Sequence, residues 1–127
     1  MKKSRRVFSA MLFALVLPLA ARAQYHSSIT FSNGSGDDAV VKLVGPSART
    51  VDVPNGTNRA AGELAPGQYY IVVRYGAAGR YSYSKGNPFE VQEYGGSYSE
   101  ISITLHKVVN GNYSTRPAGK DEFESAH

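Results

Sequence analysis

The chain has 127 residues and neither cysteine nor tryptophan, and its 14 Lys+Arg against 10 Asp+Glu give a formal charge of +4. That length holds one domain, and the lack of thiols excludes a disulfide framework, a cysteine nucleophile and a thiolate metal cluster. The positive excess sits at one end: Lys2, Lys3, Arg5, Arg6 and Arg22 all precede residue 24, so a basic face that reads nucleic acid is not expected on the folded part.

Residues 1–23 have the form of an export signal. A basic start leads into the apolar run Val7 to Ala20, and Ala21-Arg22-Ala23 is a small-x-small cleavage sequence with the cut expected between Ala23 and Gln24. The run falls short of the roughly 20 apolar residues that span a bilayer, and Pro18 interrupts it. Export to the periplasm or beyond a bacterial cell, with no stable membrane insertion after cleavage, is the expected outcome. Ser4-Arg5-Arg6-Val7-Phe8 resembles the twin-arginine signature, while Met11 to Leu17 is apolar enough for the general secretory route, and both routes stay open.

From Gln24 onward the pattern has a period of two. Strands are expected at Ser28 to Phe31, Ala39 to Val44, Val51 to Val53, Ala60 to Leu64, Gln68 to Tyr75, Tyr81 to Tyr83, Phe89 to Val91 and Glu100 to His106. Turn chemistry separates them, at Asn33 to Asp38, Gly45-Pro46, Pro54-Asn55-Gly56, Pro66-Gly67, Gly76 to Gly79, Lys85 to Pro88 and Gly95-Gly96. In the longest run Tyr69, Ile71 and Val73 share one face and Tyr70, Val72 and Arg74 the other. No stretch sustains a helical period. The fold class expected is all-β, a single antiparallel sandwich of about seven strands with Greek-key connections, Ig-like or prealbumin-like. It is assigned to residues 24–109, and residues 110–127 are expected to form a short hairpin at Asn110-Gly111 and a mobile polar tail, or else a segment that docks on a partner with Phe123 as its single apolar anchor.

The stretch Gly62-Glu63-Leu64-Ala65-Pro66-Gly67-Gln68-Tyr69-Tyr70-Ile71-Val72-Val73, after Val51-Asp52-Val53-Pro54-Asn55-Gly56, resembles the prealbumin-like sandwich of carboxypeptidase-regulatory-like domains. The leucine enters the core, a Pro-Gly turn follows, and a tyrosine begins the central strand. The resemblance covers about Ile29 to Leu105 and implies an accessory or structural module; it supplies no catalytic residues.

The residues themselves offer little chemistry. No serine lies in a nucleophile elbow, and His26, His106 and His127 have no metal-ligand spacing. Asp37-Asp38 in a glycine-rich stretch reads as a hairpin connection before it reads as a calcium loop. Glu90 and Glu93 fall on opposite faces of an ideal strand and make a poor acid/base pair. No catalytic residue, metal or cofactor is therefore expected.

The tyrosines are the one suggestive constellation. Seven of nine lie between Tyr69 and Tyr98, and flat amphipathic rings suit both strand packing and the binding of sugars or peptides. Tyr70, Arg74, Tyr81 and Tyr83 are the candidate ligand-binding residues. The expected function is that of a non-enzymatic interaction or structural module of the periplasm or cell surface, with a carbohydrate-binding module as the alternative. The partner is then an unidentified protein or a cell-surface polysaccharide.

Overall fold

The computed structural model describes residues 24–106 and 115–127. The expected signal with its arginine pair and Ala23, and the expected hairpin at Asn110-Gly111, lie outside the described residues. Eleven strands form among those described: β1 Ser27–Asn33, β2 Ala39–Val44, β3 Arg49–Val53, β4 Asn58–Leu64, β5 Gly67–Tyr75, β6 Ser82–Gly86, β7 Phe89–Val91, β8 Glu93–Tyr94, β9 Ser97–Tyr98, β10 Glu100–Leu105 and β11 Thr115–Ala118. A short helix, α1 Lys120–Glu124, follows.

The described residues are all-β apart from α1. A three-stranded sheet has the order β10-β1-β4, and a larger sheet has the order β11-β6-β5-β2-β3 with β7 paired to the start of β5; β8 and β9 form a separate hairpin. Two features depart from an antiparallel set of about seven strands. β1 and β10 run parallel, with Ile29 opposite Ile101 and Phe31 opposite Ile103. A parallel pair requires a long crossover, and all the strands between the two supply it. β8, β9 and β11 add to the expected set: β8 and β9 are two residues each, too short to display an alternation, and β11 lies in the segment expected as hairpin and tail.

Period two drives the rest. β1 alternates buried and half-buried positions along its whole length, and β2 does the same. Their inward residues Ile29, Phe31, Val41 and Leu43 join Ile71, Val73, Tyr75, Ile103 and Leu105 in one core between the two larger sheets. β4 departs from strict alternation, since Ala61 and Leu64 both face this core although they are three residues apart. The register against β1 shifts there, from Ser27 opposite Leu64 to Ile29 opposite Ala61. Glu63, at φ 54, absorbs the extra residue as a bulge.

The Pro66-Gly67 turn leads into a tyrosine corner. The Tyr69 ring is buried, its hydroxyl donates to the Ala65 carbonyl at 2.6 Å and accepts from the Ser47 amide at 3.1 Å, and the Ser47 hydroxyl accepts from the Ala65 amide at 2.9 Å. These bonds satisfy backbone groups that the turns on either side leave outside the ladders.

The C-terminal end differs from the expected mobile tail. β11 pairs with β6, placing Ala118 opposite Tyr83, and α1 lies on the outer face of the larger sheet. Phe123, 4% exposed, and Ala126 pack there on Val72, with Val40, Val44, Tyr70 and Tyr83 around them. Polarity in the Lys120–Glu124 segment masked this, because Phe123 is its one buried residue and its other contacts with the sheet come from charged groups, Glu122 with Lys85 and the Phe123 carbonyl with Lys42. No helix among the described residues is long and apolar enough to cross a membrane.

Candidate functional site

The outer face of the larger sheet brings Tyr70, Arg74, Tyr81 and Tyr83 together. β5 and β6 are antiparallel neighbours with Arg74 directly opposite Tyr83, which sets the side chains of both on the same face. The Arg74 guanidinium lies 4.3 Å from the Tyr81 ring centre, Tyr81 and Tyr83 are 6.3 Å apart, and Lys85 Nζ lies 4.8 Å from the Tyr70 ring. The chain itself occupies this cluster. Phe123 sits 5.6 Å from Tyr83 and 5.4 Å from the Arg74 guanidinium, so Tyr70, Arg74 and Tyr83 are only half-exposed and Tyr81 lies at the margin.

Open aromatic surface occurs elsewhere, on the β8–β9 hairpin. Gly95 and Gly96 both adopt positive φ, 60° and 86°, as a tight two-residue turn between twisted strands requires. Tyr94 and Tyr98 flank that turn and are 73% and 49% exposed. With His26 and Glu93 they border a cleft of about 410 Å³, and the His26 ring lies 5.7 Å from that of Tyr98.

Glu93 fixes this cleft to the sandwich. Its carboxylate accepts the His26 amide at 2.9 and 3.0 Å, the Ser27 amide at 3.2 Å and the Ser27 hydroxyl at 3.1 Å, and His26 Nδ1 lies 3.1 Å from Oε2. The Ser27 hydroxyl in turn accepts the Ser99 amide at 3.0 Å. Partial desolvation works to raise the Glu93 pKa. The bonds from His26 and Ser27 together outweigh it and hold the carboxyl below its ordinary value. An ionised carboxylate already engaged by several donors is suited to holding the hairpin in place and unsuited to shuttling a proton.

The sequence contained part of this signal. Tyr94-Gly95-Gly96-Ser97-Tyr98 is a glycine turn flanked by β-favouring residues, but the partnership of Glu93 with His26 spans 67 positions and leaves no local mark.

The Asn33 to Asp38 connection is organised by an amide. The buried Asn33 donates to the carbonyls of Asp37 and Val53, at 2.8 and 2.7 Å, and accepts from the Ser35 amide, while Asp38 accepts the Asn55 amide at 2.9 Å. Among the described residues no group of three or more His, Asp or Glu side chains converges as a metal site would require. No protein-family profile and no curated protein matches the chain at a significant level.

Proposed function

We propose that the chain is an exported, non-enzymatic interaction module of the periplasm or cell surface that recognises its target through the cleft of the β8–β9 hairpin. The observation that carries this reading is the exposure of Tyr94 and Tyr98 beside His26, in a domain that buries Tyr69, Tyr75 and Phe31 almost completely. Exposed rings held on a short, glycine-turned hairpin offer rigid contact area at small entropic cost. The signal-like residues 1–23 support the location, and the Pro-Gly turn ahead of the buried Tyr69 supports a single prealbumin-like sandwich of the carboxypeptidase-regulatory-like kind.

Within this reading, a cell-surface polysaccharide is the favoured ligand class. The Tyr98 ring beside the His26 imidazole, with Tyr94 and the Glu93 carboxylate bordering the same cleft, matches the mixed apolar and polar faces of a sugar, and the cleft volume of about 410 Å³ falls in the range of about 300–1,000 Å³ common for small-ligand sites. Retention on envelope polysaccharide should fall at least tenfold in the Tyr94→Ala/Tyr98→Ala protein, with little change in melting temperature because neither ring is part of the core. Unchanged retention would move the site away from the hairpin. A turnover that disappears in Glu93→Gln would overturn the non-enzymatic reading itself.

A further inference from the structure

The outer face of the larger sheet has the composition of a peptide groove. Its floor is Val40, Val44, Val72, Tyr70 and Tyr83, and three cations, Lys42, Arg74 and Lys85, stand around it. The segment lying on it is acidic, with Asp121, Glu122 and Glu124 around the one buried ring of Phe123. We propose that this face is a recognition groove for an acidic peptide with a single phenylalanine anchor, and that the chain's own C-terminal segment fills it in cis until such a peptide displaces it.

The fit of the intrachain segment is incomplete in charge. Lys85 pairs with Glu122 at 3.0 Å. Lys42 instead donates to the Phe123 carbonyl at 3.1 Å and faces its ring at 4.5 Å, and Arg74 meets the rings of Tyr81 and Phe123. Neither meets a carboxylate among the described residues, while Asp121 and Glu124 point to solvent. A peptide in trans that placed acids against Lys42 and Arg74 would gain charge-assisted bonds that the cis segment does not make.

The cover is also built to open alone. α1 has five residues and no side-chain cap at its N-terminus, and the buried apolar contacts of this segment with the sheet, among the described residues, are those of Phe123 and Ala126, beside the Lys85–Glu122 pair and the bond from Lys42. A cleft of about 220 Å³ stays open between Ala126 and His127 on one side and Lys42 and Arg49 on the other. A unit with so few buried contacts opens without unfolding the core between the sheets.

The proposal rests on the reading of the chain as an interaction module, but its test is separate from the hairpin. The probe is a fluorescent peptide with the sequence of Ala118 to His127, titrated into the whole mature chain and into its Phe123→Ala variant. A cis segment open for about 1–10% of the time weakens a competing peptide by about 10- to 100-fold. The variant should therefore bind the probe at least tenfold more tightly than the parent, a probe carrying the same Phe→Ala change should not bind, and salt should weaken the complex several-fold. No saturable binding to the folded variant, or binding that salt leaves unchanged, would overturn the proposal. Should the variant fail to fold, hydrogen exchange on the parent decides. The amides of Phe123, Ser125 and Ala126 should exchange at least 100-fold faster than those of Val72 and Val73, and exchange of both sets at one common rate would overturn the proposal. Loss of peptide binding with hairpin retention intact would remove the groove and leave the hairpin reading standing; the converse pattern would do the reverse.

Discussion

The ring of Tyr69 lies flat against the backbone of Gly45, so close that a Cβ on Gly45 would come within 2.3 Å of ring carbon Cδ2 and 2.7 Å of Cγ. The ring cannot yield. It is buried, stacks 6.2 Å from Phe89, and is tied at its far end to Ala65 and Ser47. The turn after β2 and the start of β5 are thus locked together by one side chain and the absence of another.

Gly45→Ala should consequently destabilise the domain by about 1–3 kcal/mol, the usual cost of forcing extra volume into a packed region. Gly62→Ala is the control, since a Cβ there meets nothing within 4 Å, and its effect should stay within about 0.5 kcal/mol. Denaturant titration of both proteins checks the contrast. Equal effects would mean that the Tyr69 ring is free to move.

Glu93 predicts an acid-side loss of stability. Its pKa is lower in the folded protein than in the unfolded chain, so the fold favours the ionised form. The contribution is complete above the unfolded value of about 4.3 and disappears as pH falls through the lower folded value. Melting temperatures of the parent and of Glu93→Gln should therefore differ by a constant amount near neutral pH and converge below about pH 4. Curves that stay parallel down to acid pH would show that the His26 and Ser27 bonds do not favour the carboxylate.

Tyr75 predicts the opposite behaviour at high pH. Burial pushes its hydroxyl up to about 12, and that hydroxyl donates to the His106 carbonyl at 3.2 Å. The fold favours the neutral phenol, so its contribution is intact below the unfolded value of about 10 and is lost as pH rises through the folded one. Ultraviolet titration of the folded protein should show a late-ionising step near pH 12, and Tyr75→Phe should remove it. A late step that persists in Tyr75→Phe would assign it to another ring.

Much of the fold is legible in the sequence because strand formation and core membership both follow from local alternation. Ser27–Asn33, Ala39–Val44 and Gly67–Tyr75 write their inner faces directly as every second residue, and the turns between them use residues with their own conformational preferences. The bulge at Glu63 is not legible, since nothing in Ala61 to Leu64 says which residue will leave the ladder. The parallel pairing of β1 with β10 is set by where distant strands come to rest.

The candidate site divides along the same line. The sequence by itself determined that Tyr70 and Arg74 would share one face of their strand, because side-chain direction on a strand is a local property; the pairing of β5 with β6 brought Tyr83 to that face. Only the tertiary structure decided that Phe123 would cover that face while Tyr94 and Tyr98 stayed open, and that Glu93 would bind His26. An alternating strand looks the same whether its outer residues meet water or another part of the chain. Burial and long-range hydrogen bonds depend on which surfaces finally meet, and that is fixed when the whole chain packs.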